Sequence, residues 1–261
     1  MKQTRRRRIP AAALTAAALV AALAGTALAE SYFGRLDVTP MKGDFENGYW
    51  VTGAYRNVPP EYLSEELLER AAQTGEGSDE LIFGSWSEAE EFIGLEIADN
   101  PMLEEMAQSE WTPPHEGDAT PEDMRRCTVQ MHCSLGLPDQ IMLRASYFGD
   151  YFEGGPFGVN VLAFMRVKGA GDLGDSPVSL GIGNIENVSE EKYVTPSGME
   201  TTIFTQDGTV TRAVDGVSFQ QPFYTAYFEL HNAVFELYTA YGEEDADIAL
   251  SRLKQVLDAF E

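Results

Sequence analysis

The stretch AYFELHNAVFELYTAYG, residues 226–242, decides the fold, because two runs rich in aromatic and apolar residues flank one polar pair. Such runs, bounded by turn residues, are typical of β-strands. His231 and Asn232 separate the runs, and two residues suffice for a tight hairpin turn. We expect Asn232 to take the positive φ of that turn, since asparagine tolerates it. The segment therefore predicts an antiparallel hairpin over 223–230 and 233–241.

The rest of the chain places helices before and after a series of strands. Further strands are predicted at 48–55, 126–135, 140–148, 157–168, 193–195 and 201–206, with turn residues between them. The closing segment ADIALSRLKQVLDAFE predicts an amphipathic helix. The predicted fold class is α+β, in which an antiparallel meander of about six strands packs against an N-terminal helical part and a C-terminal amphipathic helix.

A second informative stretch, SWSEAEEFIGLEIADNP at 85–101, contains a helix with its start and stop signals. Ser85 with Glu88, or Ser87 with Glu90, has the spacing of a capping box, and Gly94 predicts the helix end. The pair Asn100 and Pro101 then predicts the start of a second helix. An earlier helix is predicted after Pro59 and Pro60, over EYLSEELLERAAQ. These helices are expected to cover one face of the sheet.

The first 29 residues have the layout of a secretory signal. Basic residues precede the apolar run AAALTAAALVAALAGTALA, which ends in the small-residue triplet Ala27-Leu28-Ala29. We expect cleavage after Ala29 and a secreted or extracytoplasmic protein; the alternative is an uncleaved membrane anchor. The predicted domains are a signal peptide at 1–29, an N-terminal extension with one helix at 30–80 and an α+β domain at 81–261.

The charge balance restricts the classes of partner. The chain has 18 Lys and Arg against 42 Asp and Glu, which gives a formal net charge of −24 at pH 7. Nucleic acids and anionic lipid surfaces are bound through basic side chains, so this composition excludes nucleic acid as a partner. Contact with a membrane is expected only through the signal segment, if it is uncleaved.

The only two cysteines, Cys127 and Cys133, lie in one strand-like stretch, RRCTVQMHCSLG. Six residues of extended chain separate them by about 20 Å, whereas a disulfide needs Cα atoms within about 7 Å. We therefore predict two free thiols.

The three stretches SWSEAEEFIGLEIADNP, AYFELHNAVFELYTAYG and ADIALSRLKQVLDAFE together resemble uncharacterised exported domains of Gram-positive bacteria. These are similar to the extracytoplasmic domains found in some anti-sigma factors and surface proteins. The shared order is a helix marked S-x-x-E-A-x-x-x-x-G-[LF], an antiparallel sheet, a final hairpin and an amphipathic C-terminal helix. The resemblance covers roughly residues 81–261. It supplies no catalytic residues.

The motifs that would indicate a cofactor, a metal or a nucleophile do not fit their structural context. GAGDLG at 169–174 matches a dinucleotide fingerprint, but the residues after it lack helical periodicity. Cys127, His132 and Cys133 lack zinc-site spacing, and the acidic residues before the last helix lack the pattern of a calcium loop. The sequence therefore predicts no catalytic residue, no cofactor and no metal.

Aromatic residues are the remaining signal of function. They crowd the last hairpin on both faces, more than one packed face requires. A surplus on the other face would form a binding surface, for which the candidates are Tyr224, Tyr227, Tyr238 and Tyr241. The loop at 109–123 is the second candidate. Two hypotheses result: a non-catalytic domain that senses or binds an unknown protein or small molecule at the cell envelope, or a secreted hydrolase of cell-wall polymer or peptide.

Overall fold

A computed structural model describes most of the chain after the N-terminal segment. The described residues are 36–40, 48–53, 58–73, 78–108, 129–134, 140–149, 151–153, 157–169, 177–183, 186–211, 218–241 and 245–260. All of them belong to one compact unit, Gly34–Glu261.

Eleven strands and four α-helices make up the described part of the chain. The strands are β1 (Asp37–Pro40), β2 (Gly48–Thr52), β3 (Ser78–Phe83), β4 (Val129–Ser134), β5 (Gln140–Gly149), β6 (Phe157–Arg166), β7 (Ser179–Gly183), β8 (Glu186–Val194), β9 (Glu200–Thr211), β10 (Ser218–Leu230) and β11 (Ala233–Ala240). The helices are α1 (Glu65–Gln73), α2 (Trp86–Ile93), α3 (Pro101–Gln108) and α4 (Ala246–Asp258), with a short 3-10 helix at Pro60–Tyr62.

Eight of the strands form one antiparallel sheet with the order β3-β4-β5-β6-β11-β10-β9-β8. It consists of two four-stranded meanders, and their last strands, β6 and β11, pair at the centre. Just past the end of β6, Val167 forms a parallel bridge with Val58.

A smaller sheet, β1-β2-β7, packs on one face of the large sheet. Val51 of β2 lies against Phe204 and Tyr227 of the large sheet. Val178, next to β7, lies against Phe164 and Val234 in a second apolar cluster. The two sheets therefore share an apolar layer on this face, and we call it the sandwich face.

The helices cover the opposite face. Phe228 and Phe235 stack across β10 and β11 with ring centroids 4.9 Å apart, and Phe260 at the end of α4 contacts both rings. Trp86 of α2 also contacts Phe235, and its indole N–H donates a hydrogen bond to the hydroxyl of Tyr147. We call this the helix face.

The segment at 85–101 forms two capped helices, as predicted. The Ser85 hydroxyl accepts a bond of 3.2 Å from the backbone N–H of Glu88, and the Glu88 carboxylate accepts from Gly84 N at 2.5 Å. Gly94 ends α2 with φ 85°. The Glu90 carboxylate belongs to the link instead, where it accepts from the backbone N–H groups of Ile97 and Ala98.

Asn100 caps α3 and ties it to α4. Its side-chain oxygen accepts from Leu103 N at 3.1 Å, and its side-chain N–H donates to the carbonyl of Val256 at 3.0 Å. The amide is only 5 % exposed. Both of its functional ends are therefore used inside the protein.

The predicted α+β class is confirmed, with an antiparallel sheet and a C-terminal amphipathic helix. The large sheet has eight strands rather than about six, and one of them, β3, was not predicted. The strand predicted at 193–195 is also longer than expected, because it begins at Glu186. The turn prediction was wrong in detail, since His231 takes the positive φ of 52° and Asn232 does not.

Several sequence predictions fall outside the described residues or concern boundaries. The signal segment, Cys127 and the loop at 109–123 are not among the residues that the structure describes. The predicted boundary between 80 and 81 lies inside β3, and β7 of the predicted α+β domain pairs with β2 of the predicted extension.

Candidate functional site

The structure places the four candidate tyrosines on two different faces. Tyr224 and Tyr241 lie on the helix face, where their rings stack with centroids 4.4 Å apart. Tyr227 and Tyr238 project to the sandwich face, and Tyr227 packs edge-on against Phe204. Tyr224, Tyr227 and Tyr241 are buried, and only Tyr238 is partly exposed. These four residues therefore do not form one aromatic surface.

The part of the sandwich face beyond the small sheet is polar instead. Ser146 of β5, Asn160 of β6 and Tyr238 of β11 occupy one row across three adjacent strands. Arg144 and Glu236 belong to the next row, on either side of Leu162. Arg144 and Ser146 are exposed and the other three are partly exposed. We call Arg144, Ser146, Asn160, Glu236 and Tyr238 the polar patch.

Hydrogen bonds hold the side chains of the polar patch in place. The Ser146 hydroxyl donates to the side-chain oxygen of Asn160 at 2.6 Å. The Arg144 guanidinium donates to the Tyr238 hydroxyl. On the neighbouring strands the Gln206 amide donates to the Thr225 hydroxyl at 3.0 Å. A ligand would thus meet a pre-ordered set of donors and acceptors, which lowers the entropy lost on binding.

Glu236 has the most unusual chemical environment of the patch. Burial raises the pKa of its carboxyl, because the charged form loses hydration, although a hydrogen bond from the Tyr227 hydroxyl acts in the opposite direction. Burial also raises the pKa of Tyr227, and the Glu236 charge raises it further. Titratable groups perturbed in this way are common at functional sites.

The pKa of the Tyr238 hydroxyl is raised in a similar way. Burial is the largest cause, the Arg144 charge opposes it, and the Glu236 charge adds to it. Tyr238 therefore stays neutral at physiological pH and can both donate and accept hydrogen bonds. Arg144 supplies the cation of the patch.

A fully buried carboxylate, that of Glu229, lies on the same face. Glu229 of β10 is diagonal to Glu236 of β11, a relation in which two residues lie roughly 7–8 Å apart. Gly53 beside the small sheet covers it so closely that a Cβ atom there would be 2.5 Å from a Glu229 carboxylate oxygen. Glu229 is therefore enclosed between the sheets and is not presented to solvent.

Within the ranges that the structure describes, no group of three or more His, Cys, Asp or Glu side chains is arranged to hold a metal ion. Among those same residues, no helix has the length and apolar character to cross a lipid bilayer. The polar patch consists of one cation, one carboxyl, two hydroxyls and one amide. All five groups can form hydrogen bonds.

Sequence reasoning missed the patch except for Tyr238. The pairing of β5, β6 and β11 brings its members together, and this pairing joins residues far apart in the chain. One signal was present: FEL occurs twice in the hairpin, so Glu229 and Glu236 recur between apolar positions of predicted buried strands. A carboxylate at such a position is rarely buried without a partner or a function.

Comparison of the chain with protein-family models, with curated protein sequences and with solved structures gave no match. The polar patch and the fold are therefore the basis for a functional assignment.

Proposed function

We propose that this protein is an exported, non-catalytic domain that binds a ligand or partner at the bacterial cell envelope, and that the polar patch makes the contact. One observation carries the proposal. Polar, hydrogen-bonded side chains from β5, β6 and β11 lie together on the sandwich face, beside the two apolar clusters that pack against the small sheet. A pre-ordered polar surface on which Arg144 and Ser146 are exposed suits recognition better than it suits chemistry that must exclude water.

The side chains define the ligand chemistry. Ser146, Asn160 and Tyr238 offer hydroxyl and amide groups that both donate and accept, as the hydroxyls and amides of a wall glycan or peptide require. Arg144 adds a fork of donors for a carboxylate. The net charge of −24 opposes binding of polyanions, so a ligand with many hydroxyl or amide groups and at most one acidic group fits best.

The proposed export rests on the signal-like N-terminus and is tested separately. Intact mass of the secreted protein is expected to show a chain that begins at Glu30. A membrane-bound chain that retains the first 29 residues would contradict cleavage.

Cosedimentation with purified, insoluble Gram-positive peptidoglycan tests the binding. We expect the wild-type protein to sediment with the polymer and the Asn160→Ala/Tyr238→Phe variant to bind about 30- to 150-fold more weakly, because two or three hydrogen bonds are lost at about 1 kcal/mol each. Tyr62→Phe, at an exposed tyrosine outside the patch, is the matched control and should bind normally. Equal binding by both variants would refute a role of the patch.

The second candidate function is a secreted hydrolase of wall polymer, favoured by the raised pKa of the Glu236 carboxyl, which suits a general acid. Glu236→Gln separates the two functions. Under the binding proposal, the wild-type protein releases no soluble fragments from dye-labelled peptidoglycan, and the variant still binds. Fragment release that is lost in Glu236→Gln would replace the binding proposal with the hydrolase.

A further inference from the structure

A cleft of about 500 Å³ lies on the opposite side of the molecule from the polar patch, along the N-terminal half of α4. One wall is the turn that contains Phe152 and Glu153. The other wall is the helix surface that carries Asp247, Ile248 and Arg252. The cleft is thus built by two elements that are distant in sequence.

The base of the cleft is fixed by Arg252. Its guanidinium donates to the backbone carbonyl of Glu153 at 2.9 Å. The guanidinium carbon lies 5.4 Å from the ring centroid of Phe152 and 5.9 Å from that of Phe157, distances at which a cation is attracted to an aromatic ring. Arg252 is only 8 % exposed. It therefore joins the helix to the turn and keeps the cleft walls in place.

The rim of the cleft combines an exposed apolar side chain with carboxylates. Ile248 is 49 % exposed, although large aliphatic side chains on a helix normally turn to the core. Asp247 on one wall and Glu153 on the other are both exposed. An apolar contact surface between two acidic groups is complementary to an apolar side chain between two basic ones.

We propose that this cleft docks a segment of a partner protein in which an aliphatic side chain is flanked by Lys or Arg. The aliphatic side chain would pack on Ile248 and Phe152, while its basic neighbours would pair with Asp247 and Glu153. The chain's net charge of −24 steers such a segment towards the protein and repels acidic segments. This proposal is independent of the one for the polar patch.

Fluorescence anisotropy with two labelled peptides tests the proposal. The probe has the core Lys-Leu-Lys between glycines, and its counterpart has Asp-Leu-Asp. At low salt we expect the basic peptide to bind and the acidic one not to bind, and we expect binding to weaken as salt screens the charges.

Paired variants distinguish the cleft from the general negative charge of the protein. Asp247→Asn/Ile248→Ser should weaken binding of the basic peptide about tenfold, because one charge pair and one apolar contact are lost. The control variant is Glu61→Gln/Tyr62→Ser. It replaces an exposed acidic residue and its exposed aromatic neighbour outside the cleft, and it should leave binding unchanged. Glu153→Gln should weaken binding about threefold. Because Glu153 lies outside the helix, this loss of binding would not be due to a folding defect caused by the two substitutions in the helix.

Equal weakening by the two double variants would overturn the proposal, since binding would then follow net charge alone. Binding of the acidic peptide with similar affinity, or unchanged binding by the Asp247→Asn/Ile248→Ser variant, would also overturn it.

Discussion

Asn100 is the residue whose replacement most directly tests how the helices are held to the sheet. It serves as the N-terminal cap of α3 and as a hydrogen-bond donor to the carbonyl of Val256 in α4. We expect Asn100→Ala to lower the free energy of unfolding by the sum of these two contributions. Asn100→Ser keeps a capping oxygen and loses only the bond to α4, because serine caps about as well as asparagine.

The magnitudes follow from the two bonds. Loss of a cap costs about 1 kcal/mol. The bond to Val256 contributes about 0.5–1.5 kcal/mol, and the higher end does not apply because Ala259 N still donates to the same carbonyl at 3.3 Å. We therefore expect Asn100→Ala to cost about 2 kcal/mol and Asn100→Ser about 1 kcal/mol. Ser85→Ala, which removes a cap without a second bond, is the control and should cost about 1 kcal/mol.

Equilibrium unfolding in urea measures these differences, with tryptophan fluorescence as the probe because Trp86 is buried beside Phe235. A change in midpoint without a change in slope reports stability alone. Two results would contradict this expectation: Asn100→Ser as stable as wild type, or a loss of stability in Asn100→Ala no larger than in Ser85→Ala. Either result would mean that the bond between α3 and α4 contributes nothing.

Three other predictions can be checked on the same material. The pKa of the Glu236 carboxyl is raised in the folded state above its ordinary value of 4.5, so its stabilising contribution is present below pH 4.5 and is lost as pH rises through the folded pKa. The free energy of unfolding should therefore fall less between pH 4.5 and 8 in Glu236→Gln than in the wild-type protein. Parallel pH profiles of the two proteins would contradict this. Gly94→Ala should lower the free energy of unfolding by about 1–2 kcal/mol because of the positive φ, and by more because the new Cβ would lie 2.8 Å from Ser64 N. Gly198→Ala, with φ 94° and open space around it, should show only the loss due to φ. Equal losses of unfolding free energy in the two variants would rule out the clash at Gly94. Thiol titration in denaturant without reductant should find two free thiols per chain, and finding none in a monomer would show that Cys127 and Cys133 are bridged.

Local signals in the sequence predicted the helices and the last hairpin well. Each helix boundary depends on side chains within a few residues of it, so a local sequence pattern is enough to predict it. Examples are the cap at Ser85, the stop at Gly94 and the start at Asn100. The His231–Asn232 turn shows the limit of local reasoning. Asparagine is the better candidate for a positive φ, yet the paired strands place that conformation one residue earlier.

The sequence did not predict which strands pair when they are far apart in the chain. β1 and β2 join β7 in a separate sheet although many residues separate them, and no local pattern specifies that partner. The edge strand β8 was predicted too short because Glu190, Glu191 and Lys192 resemble a loop, while charges on an edge strand discourage pairing with other chains.

The sequence spacing of the four tyrosines already argues against one aromatic surface. Tyr224 and Tyr227 are three residues apart, and residues three apart on a strand point to opposite faces. The polar patch, in contrast, needs the register of β5, β6 and β11. Sequence reasoning thus reached the correct hairpin but not the residues that form a surface on it.

The meeting of β6 and β11 at the centre of the large sheet also determines how the protein folds. Each four-stranded half can form from contacts between chain neighbours, whereas joining the halves must close a long loop and therefore costs chain entropy before it gains contacts. We expect the joining of the halves to limit the folding rate. Until it happens, β6 and β11 are both unpaired edges rich in apolar residues, and such edges promote aggregation. A newly made chain would therefore be most vulnerable during this step, and substitutions along β6 and β11 should slow folding more than equally destabilising ones at the outer edges β3 and β8.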